Sequence, residues 1–329
     1  MALSKLSGSS IAELTIIFKV LDKKIVKSPS EATLYVKNSN ASLTIVSVYV
    51  DDLLVTGSNE KLVNEFKAEM FKTFEMTDLG LLTYFLGMES MNQKEKFSKE
   101  DGAEKVNKGL YRSLIGCLMY LTATRPDIMF AVSLMSRFMN CASEVHFAAT
   151  KCILRYVKGT TDYGIKYSCR HDFQLQGFSD SDWTGITKDM RSTTGFCFSF
   201  GSGVFSWSSK KQDVVAQSTA EAEFIAANTT VNQAIWIRKL LVDLHMNQIE
   251  PTKIFVDNQA TIAISKDPIF HEKTKHFNIK LYHLRKEQRA GEIKLIYCNT
   301  KEQIAYLLTK ALSKARFEEL RIKLGVCKY

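Results

Sequence analysis

Apolar and β-branched residues define the first regular elements of the chain. Residues 34–56 contain the segments LYVK and LTIVSVYV, followed by LLVTG after a pair of aspartates, and this pattern predicts two strands around a tight turn. Residues 60–75 carry an apolar side chain at every fourth position from Leu62 to Phe74, which predicts an amphipathic helix. The first part of the chain is therefore expected to combine β-strands with one helix.

A polar stretch separates this region from one with a helical pattern. Residues 92–108 are mostly polar or charged, so we expect a linker or an exposed loop there. Residues 110–158 carry long apolar patterns of helical period. The helical pattern is expected to break at Arg125-Pro126-Asp127, because proline cannot continue a helix.

A different pattern begins near residue 172, where short apolar runs alternate with glycines and charged turns. The runs predict three strands in quick succession, at 173–179, 194–200 and 203–208. Ser218 and Glu221 then form an S-x-x-E capping box. This box predicts that a long helix begins there and continues to about His245.

The remaining C-terminal segments alternate between strand and helix. They predict a strand at KIFVD, a short helix after Asn258, a basic helix over 272–290, a strand at IKLIYC and a last helix from about Lys301 to Leu324. Three strands followed by helix, strand, helix, strand and helix indicate a mixed α/β fold, with a five-stranded sheet flanked by helices.

Three acidic residues fall where this fold would bring distant segments together. Asp180 ends the first predicted strand of the sheet in GFSDSDW, Glu223 lies early in the long helix, and Asp257 ends the strand KIFVD. Clustered carboxylates repel one another unless cations or protons neutralise them, and hard oxygen ligands favour Mg²⁺ or Mn²⁺. Any one of these acids alone is more typical of a cap or a turn. All three in this order of elements favour a metal site suited to phosphodiester cleavage.

The overall charge and the cysteines narrow the class of protein. A formal net charge of +9 fits a polyanionic partner such as nucleic acid, although an ordinary basic protein is an equal alternative. The seven cysteines show no zinc-ligand spacing, and reduced thiols are expected. No secretory signal is recognisable, and no apolar run approaches the ~20 residues that span a bilayer. We therefore expect an intracellular protein, cytoplasmic or nuclear and not secreted, without a membrane partner.

Basic and aromatic side chains supply further candidates. The candidate contacts to nucleic-acid phosphates are Lys273, Lys275, Lys280, Arg285 and Lys286. For each of them a solvated helix face is the alternative. The tryptophans Trp183, Trp207 and Trp236 are predicted to lie in the core rather than to stack on bases.

Several long segments resemble a known family. GFSDSDWTG, RSTTGFCFSFGSGVFSWSSKKQDVVAQSTAEAEFIAA, FVDNQATI and KTKHFNIKLYHLRK resemble the ribonuclease H region of copia-type retrotransposon Pol polyproteins, most of all those of plants. The resemblance implies a ribonuclease H-like fold and a nuclease that acts on RNA in RNA–DNA hybrids with Mg²⁺ or Mn²⁺. It implies that Asp180, Glu223 and Asp257 are the catalytic acids and the metal ligands. Other segments of the polyprotein are possible partners.

One position departs from the family pattern. The family has an Ala-Asp pair near the start of the last helix, and the matching segment here is EQIAYLLTKAL, with Tyr306 in place of the aspartate. A neutral phenol cannot replace a carboxylate as a Mg²⁺ ligand. We therefore predict impaired nuclease activity, and partial recovery in Tyr306→Asp.

The upstream region resembles a reverse transcriptase palm. Val48 to Leu54 reads VYVDDLL, and the YVDD hairpin of that enzyme would use Asp51 and Asp52 as metal ligands. The fingers, the first half of the palm and the thumb have no counterpart in this sequence. Polymerase activity of this chain is therefore not expected.

Taken together, these patterns predict three parts. They are a partial reverse transcriptase palm at 1–91, a linker and helical connection at 92–171, and a ribonuclease H-like domain at 172–329. Two alternatives to an active nuclease stay open: a non-catalytic nucleic-acid-binding remnant, and a decayed transposon product.

Overall fold

The computed structural model describes residues 2–4, 25–39, 42–49, 52–73, 77–78, 97–98, 101–168, 173–183, 190–266 and 275–329. The chain divides into two compact units. The first unit comprises 1–83 together with 236–247, and the second comprises 84–235 together with 248–329.

The first unit contains an antiparallel sheet. Its strands are β1 (Ala2–Ser4), β2 (Ile25–Lys27), β3 (Leu34–Ser39), β4 (Ser42–Tyr49), β5 (Asp52–Gly57) and β6 (Thr77–Asp78). They lie in the order β2-β3-β4-β5-β1-β6. The region 34–56, predicted as two strands around a turn, contains three strands, because β3, β4 and β5 pair in succession.

Among the described residues of this unit, a helix packs on the sheet where the four-residue repeat predicts it. Helix α1 spans Glu60–Thr73, and its residues Phe66 and Met70 are buried in the same cluster as Val46 and Leu53 of the sheet. An apolar stripe at this spacing buries one helix face against the strands.

The helical region contains three helices, and the predicted break at 125–127 separates the first from the second. Helices α2 (Lys108–Leu121), α3 (Met129–Ser136) and α4 (Glu144–Gly159) share one buried cluster. A short 3₁₀ helix, Pro126–Ile128, joins α2 to α3. Pro126 stands at its first position, where the missing N–H has no helical partner to lose.

The second unit contains a mixed five-stranded sheet. After the short strand β7 (Tyr163–Ile165), its strands are β8 (Gln176–Asp182), β9 (Thr193–Ser199), β10 (Val204–Lys211), β11 (Thr252–Val256) and β12 (Ile293–Tyr297). They lie in the order β10-β9-β8-β11-β12. Strands β8, β9 and β10 are antiparallel neighbours, whereas β11 runs parallel to both β8 and β12. This is the order of a ribonuclease H-like sheet, so the predicted fold class is confirmed.

The connections between these strands are helical. The long helix α5 spans Thr219–Asp243, and α6 (Gln259–Lys266) and α7 (Lys275–Arg289) connect β11 to β12. These bounds confirm the helices predicted to begin near Ser218, after Asn258 and within 272–290.

The prediction of one continuous helix from Lys301 to Leu324 is wrong. The segment forms a 3₁₀ helix, Ile304–Leu308, and then helix α8, Lys314–Lys323, before a last strand β13, Val326–Lys328. Four of the five residues in the 3₁₀ helix are buried, so this segment lacks the exposed face of an amphipathic helix. Ser313 has an extended backbone and begins α8 anew.

The prediction that all tryptophans lie in the core is also wrong. Trp183 is 43% exposed and Trp236 is 38% exposed. Trp207 is partly buried, and its indole Nε1 donates to the Thr122 carbonyl oxygen at 2.9 Å. Among the described residues, no helix is both long enough and apolar enough to cross a membrane.

Candidate metal centre

Three different elements bring the predicted acids to one place. Asp257 directly follows β11, and Asp180 lies in β8, the parallel neighbour of β11. Glu223 is the fifth residue of α5. One carboxylate oxygen from each of the three lies within 4.8 Å of the other two. Asp180 does not end its strand as predicted, because β8 continues to Asp182.

The two glutamates near the start of α5, Glu221 and Glu223, have different roles. The backbone N–H of Glu221 donates to the Ser218 hydroxyl at 3.2 Å, and the Glu221 carboxylate accepts from the Gln217 backbone N–H at 2.7 Å. Glu221 therefore serves the helix N-terminus, as the capping box predicts. Glu223, two positions on, faces the sheet and is the glutamate that meets Asp180 and Asp257.

The acidic cluster is deeply buried. Asp180 is 0% exposed and Glu223 is 4% exposed. Burial penalises the charged form, and it raises the pKa of Asp180 to about 7 despite the lowering effect of Lys310 and of the Thr309 hydrogen bond. Burial, followed by repulsion from Asp180 and Asp257, raises the pKa of Glu223 well above its usual value. Without cations, the site therefore holds fewer than three negative charges at neutral pH.

Hydrogen bonds fix one oxygen of each acid. The Ser181 backbone N–H donates to Glu223 Oε1 at 3.2 Å, and the Thr300 hydroxyl donates to Asp257 Oδ2 at 3.1 Å. The Thr309 hydroxyl donates to Asp180 Oδ2. The other oxygens of the two buried acids, Asp180 Oδ1 and Glu223 Oε2, accept no hydrogen bond from the described part of the chain.

A buried glutamine links the elements that carry two of the acids. Gln212 Nε2 donates to Thr194 Oγ1 and to the Ala222 carbonyl oxygen, both at 3.0 Å, and lies 3.3 Å from Ser181 Oγ. Ser181 and Ala222 directly adjoin Asp180 and Glu223 in the sequence. The amide therefore holds β8 and the start of α5 in a fixed spacing.

The residues in and next to the 3₁₀ helix Ile304–Leu308 that reach the site were not predicted from the sequence. Gln303, which precedes this helix, donates through Nε2 to the Ser179 carbonyl oxygen at 2.9 Å and to that of Phe255 at 3.3 Å. These carbonyl groups belong to β8 and β11, so one side chain fixes the segment against both strands that support the acids.

A glycine allows the same segment to approach the sheet closely. Gly195 in β9 is paired with Asp180 in β8. A Cβ atom at Gly195 would lie 2.6 Å from Thr309 Cγ2 and 2.9 Å from Leu308 Cβ, closer than side chains pack. The absent side chain therefore makes room for Thr309 beside Asp180.

The two residues that most change the chemistry of the site are Lys310 and Tyr306. Lys310 Nζ lies 3.5 Å from Asp180 Oδ1 and 4.0 Å from the centroid of the Tyr306 ring. Burial alone would lower the pKa of Lys310, but attraction to Asp180, reinforced by Tyr306, Glu223 and Asp182, outweighs it and raises the pKa. Tyr306, where the family pattern has an acid, thus presents an aromatic face to a lysine. The pattern LLTKAL contained Lys310, but nothing in the sequence indicated that it reaches the acids.

The predicted nucleic-acid contacts are only partly placed. Lys273 lies outside the described residues, and Lys275 and Lys280 belong to α7 without a described side chain. Arg285 donates to the carbonyl oxygens of Ser265 at 3.2 Å and Ile264 at 2.9 Å, at the C-terminal end of α6. Lys286 is 65% exposed. A role for these residues in nucleic-acid binding stays a prediction.

The predicted palm site lies mostly outside the described residues. Asp51 lies outside them, and Asp52 is placed as the first residue of β5 without a described side chain. Their role as metal ligands stays a prediction.

The residues of the acidic cluster fit a divalent cation. Three carboxylates within 4.8 Å offer hard oxygen ligands, and two of the oxygens are buried without a hydrogen-bond donor. A bound cation would relieve the mutual repulsion that helps raise the pKa values of Asp180 and Glu223.

Comparison with known proteins agrees with the fold. The family model for reverse transcriptase (RNA-dependent DNA polymerase) matches residues 3–110. The Pol polyprotein from transposon RE1 of Arabidopsis thaliana is 32% identical over 92% of this chain. The Pol polyprotein from transposon TNT 1-94 of Nicotiana tabacum is 31% identical over the same share. This chain belongs to the Pol polyprotein family of copia-type retrotransposons.

Two further facts define what this Pol segment shares with known proteins. It spans only 23% of the RE1 polyprotein and 26% of the TNT 1-94 polyprotein. An RNase H1 isolated from compost by a metagenomic approach aligns over 45% of this chain and 92% of its own, with 14% identity and a TM-score of 0.30. The ribonuclease H-like assignment follows from the strand order β10-β9-β8-β11-β12 and from family membership.

Proposed function

We propose that the ribonuclease H-like domain of this Pol segment is a metal-dependent nuclease for the RNA strand of RNA–DNA hybrids. The observation that supports this most is the convergence of Asp180, Glu223 and Asp257, with one oxygen of each within 4.8 Å of the others. These three acids are the catalytic residues and the ligands for Mg²⁺ or Mn²⁺ in this proposal. Bound divalent ions would activate the attacking water and stabilise the leaving oxygen of the phosphodiester.

The acids have distinct tasks in this proposal. Asp180 contributes a fully buried carboxylate as a metal ligand, and Thr309 fixes its Oδ2. Glu223 is oriented by the Ser181 backbone N–H and offers its second oxygen to the same region. Asp257 is the least buried of the three and is oriented by Thr300, so it lies nearest to an approaching phosphate.

The nuclease is expected to be weak. Tyr306 contributes no carboxylate, and Lys310 places a positive charge 3.5 Å from Asp180 Oδ1, an oxygen that would otherwise be open to a metal ion. Fewer acidic ligands and a competing ammonium both lower the affinity for divalent cations. This site is therefore expected to need a higher metal concentration for activity than a site with four acidic ligands.

Partners and organisation belong to the same proposal. The net charge of +9 and the exposed Lys286 favour a nucleic-acid partner, whose phosphates basic side chains would contact. Other segments of the polyprotein are proposed to associate with the chain, since it spans about a quarter of its curated relatives. We also propose the division into a partial palm at 1–91, a helical connection at 92–171 and a ribonuclease H-like domain at 172–329.

The test is a cleavage assay with a matched control. A hybrid with labelled RNA is incubated with the full chain, with Asp180→Asn and with Asp213→Asn, in Mn²⁺ or Mg²⁺. Asp213 is an acid of the same type whose side chain is 88% exposed, so its variant should cleave like the parent. Cleavage that Asp180→Asn loses supports the proposal. Cleavage that persists in Asp180→Asn would contradict the assigned site.

A second candidate function is hybrid binding without cleavage. The Lys310 ammonium beside Asp180 and the aromatic ring at Tyr306 favour it, because both reduce the capacity for metal ions. Binding that weakens steeply with salt, with no cleavage by the parent chain even in Mn²⁺, would support this function.

A further inference from the structure

The environment of Lys310 is that of a bound cation. Its ammonium lies 3.5 Å from the fully buried Asp180 and 4.0 Å from the Tyr306 ring centroid, and the side chain is only 26% exposed. An ammonium above an aromatic face is attracted by the negative charge of that face. Two separate groups therefore fix this charge against the acidic cluster.

The position of the ammonium is one that a metal ion would take. Asp180 Oδ1 accepts no hydrogen bond from the described residues, while Thr309 occupies Oδ2. The ammonium faces Oδ1, which leaves the Glu223 Oε2 side of the cluster for another cation.

The charges in the cluster also favour a single divalent ion beside the ammonium. When a bound metal ion keeps all three carboxylates ionised, these and one ammonium leave two negative charges, which a single divalent ion balances. Two divalent ions together with the ammonium would leave two surplus positive charges in a site where Asp180 and Glu223 are almost fully buried. Buried charge without compensation is strongly unfavourable.

We propose that Lys310, seated on the Tyr306 ring, is a permanent internal cation that takes the place of one metal ion, so that the free protein binds one divalent ion at this site. The inference rests on the proposed function, since it assumes that the acids bind metal. Tyr306 then acts as a positioning residue for the ammonium, in addition to removing a ligand.

The first test counts metal ions on the full chain without nucleic acid. Free Mn²⁺ is measured by electron paramagnetic resonance during titration, and only sites that Asp180→Asn removes are counted. The parent chain and Lys310→Arg should each bind one Mn²⁺, and Lys310→Met should bind two. Lys323→Met is the matched control, because Lys323 also pairs with an acid, Glu319, but at the surface. This variant should bind one Mn²⁺, like the parent.

The outcomes separate two kinds of failure. Two ions on the parent chain, or one ion on both the parent and Lys310→Met, would overturn the internal cation while leaving the metal site of the proposed function intact. No Asp180-dependent ion on either protein would overturn the metal site itself and the inference with it.

A second readout keeps the idea testable if the variant is unstable. In excess chelator at pH 8, Lys310→Met should melt several degrees below the parent, while Lys310→Arg and Lys323→Met should melt close to it. Mn²⁺ should then raise the melting temperature of Lys310→Met more than that of the parent. Equal melting of Lys310→Met and Lys323→Met in chelator would show that the ammonium does not neutralise the cluster.

Discussion

The second unit contains two buried clusters of charge that differ in how their acids are satisfied. In the first, both oxygens of Asp127 are bonded: Arg125 Nε donates to Oδ1 at 2.9 Å, and the Tyr156 hydroxyl donates to Oδ2 at 3.2 Å. Arg321 Nη1 in turn donates to the Tyr156 hydroxyl at 3.3 Å. One carboxylate thus lies near two guanidinium groups.

In the second cluster the acids outnumber their cationic partners among the described residues. Of the three acids, Asp180 pairs with the Lys310 ammonium, and Asp180 Oδ1 and Glu223 Oε2 accept no hydrogen bond among the described residues. A buried acid whose partners are all present gains nothing from an added cation, whereas buried acids with open oxygens are stabilised by one. The comparison therefore separates a cluster whose acid is paired within the fold from one whose open oxygens fit the proposed metal site.

Arg125→Met should have the largest effect on stability. It leaves Asp127 buried without its guanidinium, and removal of one partner from a buried ion pair costs about 3–5 kcal/mol. Urea unfolding of the variant should show that loss equally with and without Mn²⁺. The control Arg112→Met, whose side chain contacts Asn140 at the surface, should change stability by less than about 1 kcal/mol. If Mn²⁺ restores the stability of Arg125→Met, the Asp127 cluster also responds to a divalent cation and the two clusters do not differ as described.

The second largest effect should be the change in the free energy of unfolding with pH. Burial raises the folded-state pKa of Asp180 to about 7 and raises that of Glu223, so the metal-free folded protein holds protons that the unfolded chain releases. The resulting stability is complete below the unfolded pKa of about 4 and is lost as pH rises through the folded values. Each proton contributes up to about 1.4 kcal/mol per pH unit.

Thermal unfolding in chelator should therefore show a loss of about 2–4 kcal/mol between pH 5 and pH 8 from this cluster. The loss should shrink in Asp180→Asn, which removes one of the titrating acids. Saturating Mn²⁺ should also reduce it, because a cation stabilises the ionised acids. If stability falls equally steeply with pH in the parent and in Asp180→Asn, the pH dependence does not come from Asp180.

Asp180→Asn should stabilise the metal-free protein at pH 8 by about 1–2 kcal/mol, because it removes a buried charge that is only partly compensated by Lys310. It should at the same time abolish stabilisation by Mn²⁺. The corresponding change in the other cluster, Asp127→Asn, should destabilise the protein, since it weakens a paired acid. Destabilisation by both substitutions would erase the distinction between the clusters.

Tyr306→Asp should have the smallest effect. The new carboxylate would pair with Lys310 and add an oxygen ligand, so the rate of hybrid cleavage should rise about tenfold, which corresponds to about 1.4 kcal/mol. Tyr306→Phe preserves the aromatic face and should leave the rate unchanged. A rate in Tyr306→Asp no higher than that of the parent would mean that this position does not limit activity.

The sequence predicted the acids of the site better than the surroundings that tune them. Asp180, Glu223 and Asp257 follow from strand and helix boundaries, which depend on local patterns, and from the resemblance to the family. Lys310 was missed because one continuous helix was predicted across 301–324. The approach of that segment depends on Gly195, more than one hundred residues away in the sequence.

The cluster around Asp127 was equally hard to predict from the sequence. Arg125 and Asp127 appeared only as the flanks of a helix-breaking proline, and their partner Tyr156 lies on another helix. The exposure of Trp183 and Trp236 was also not predictable, because composition gives no position relative to the surface. Long-range packing decided each of these features.

The most direct test of the acidic site is anomalous X-ray scattering from a crystal of the full chain grown with Mn²⁺. We expect a manganese peak within coordination distance of Asp180, Glu223 and Asp257, and no such peak in Asp180→Asn. Manganese bound elsewhere, with these three carboxylates free of metal, would contradict the account.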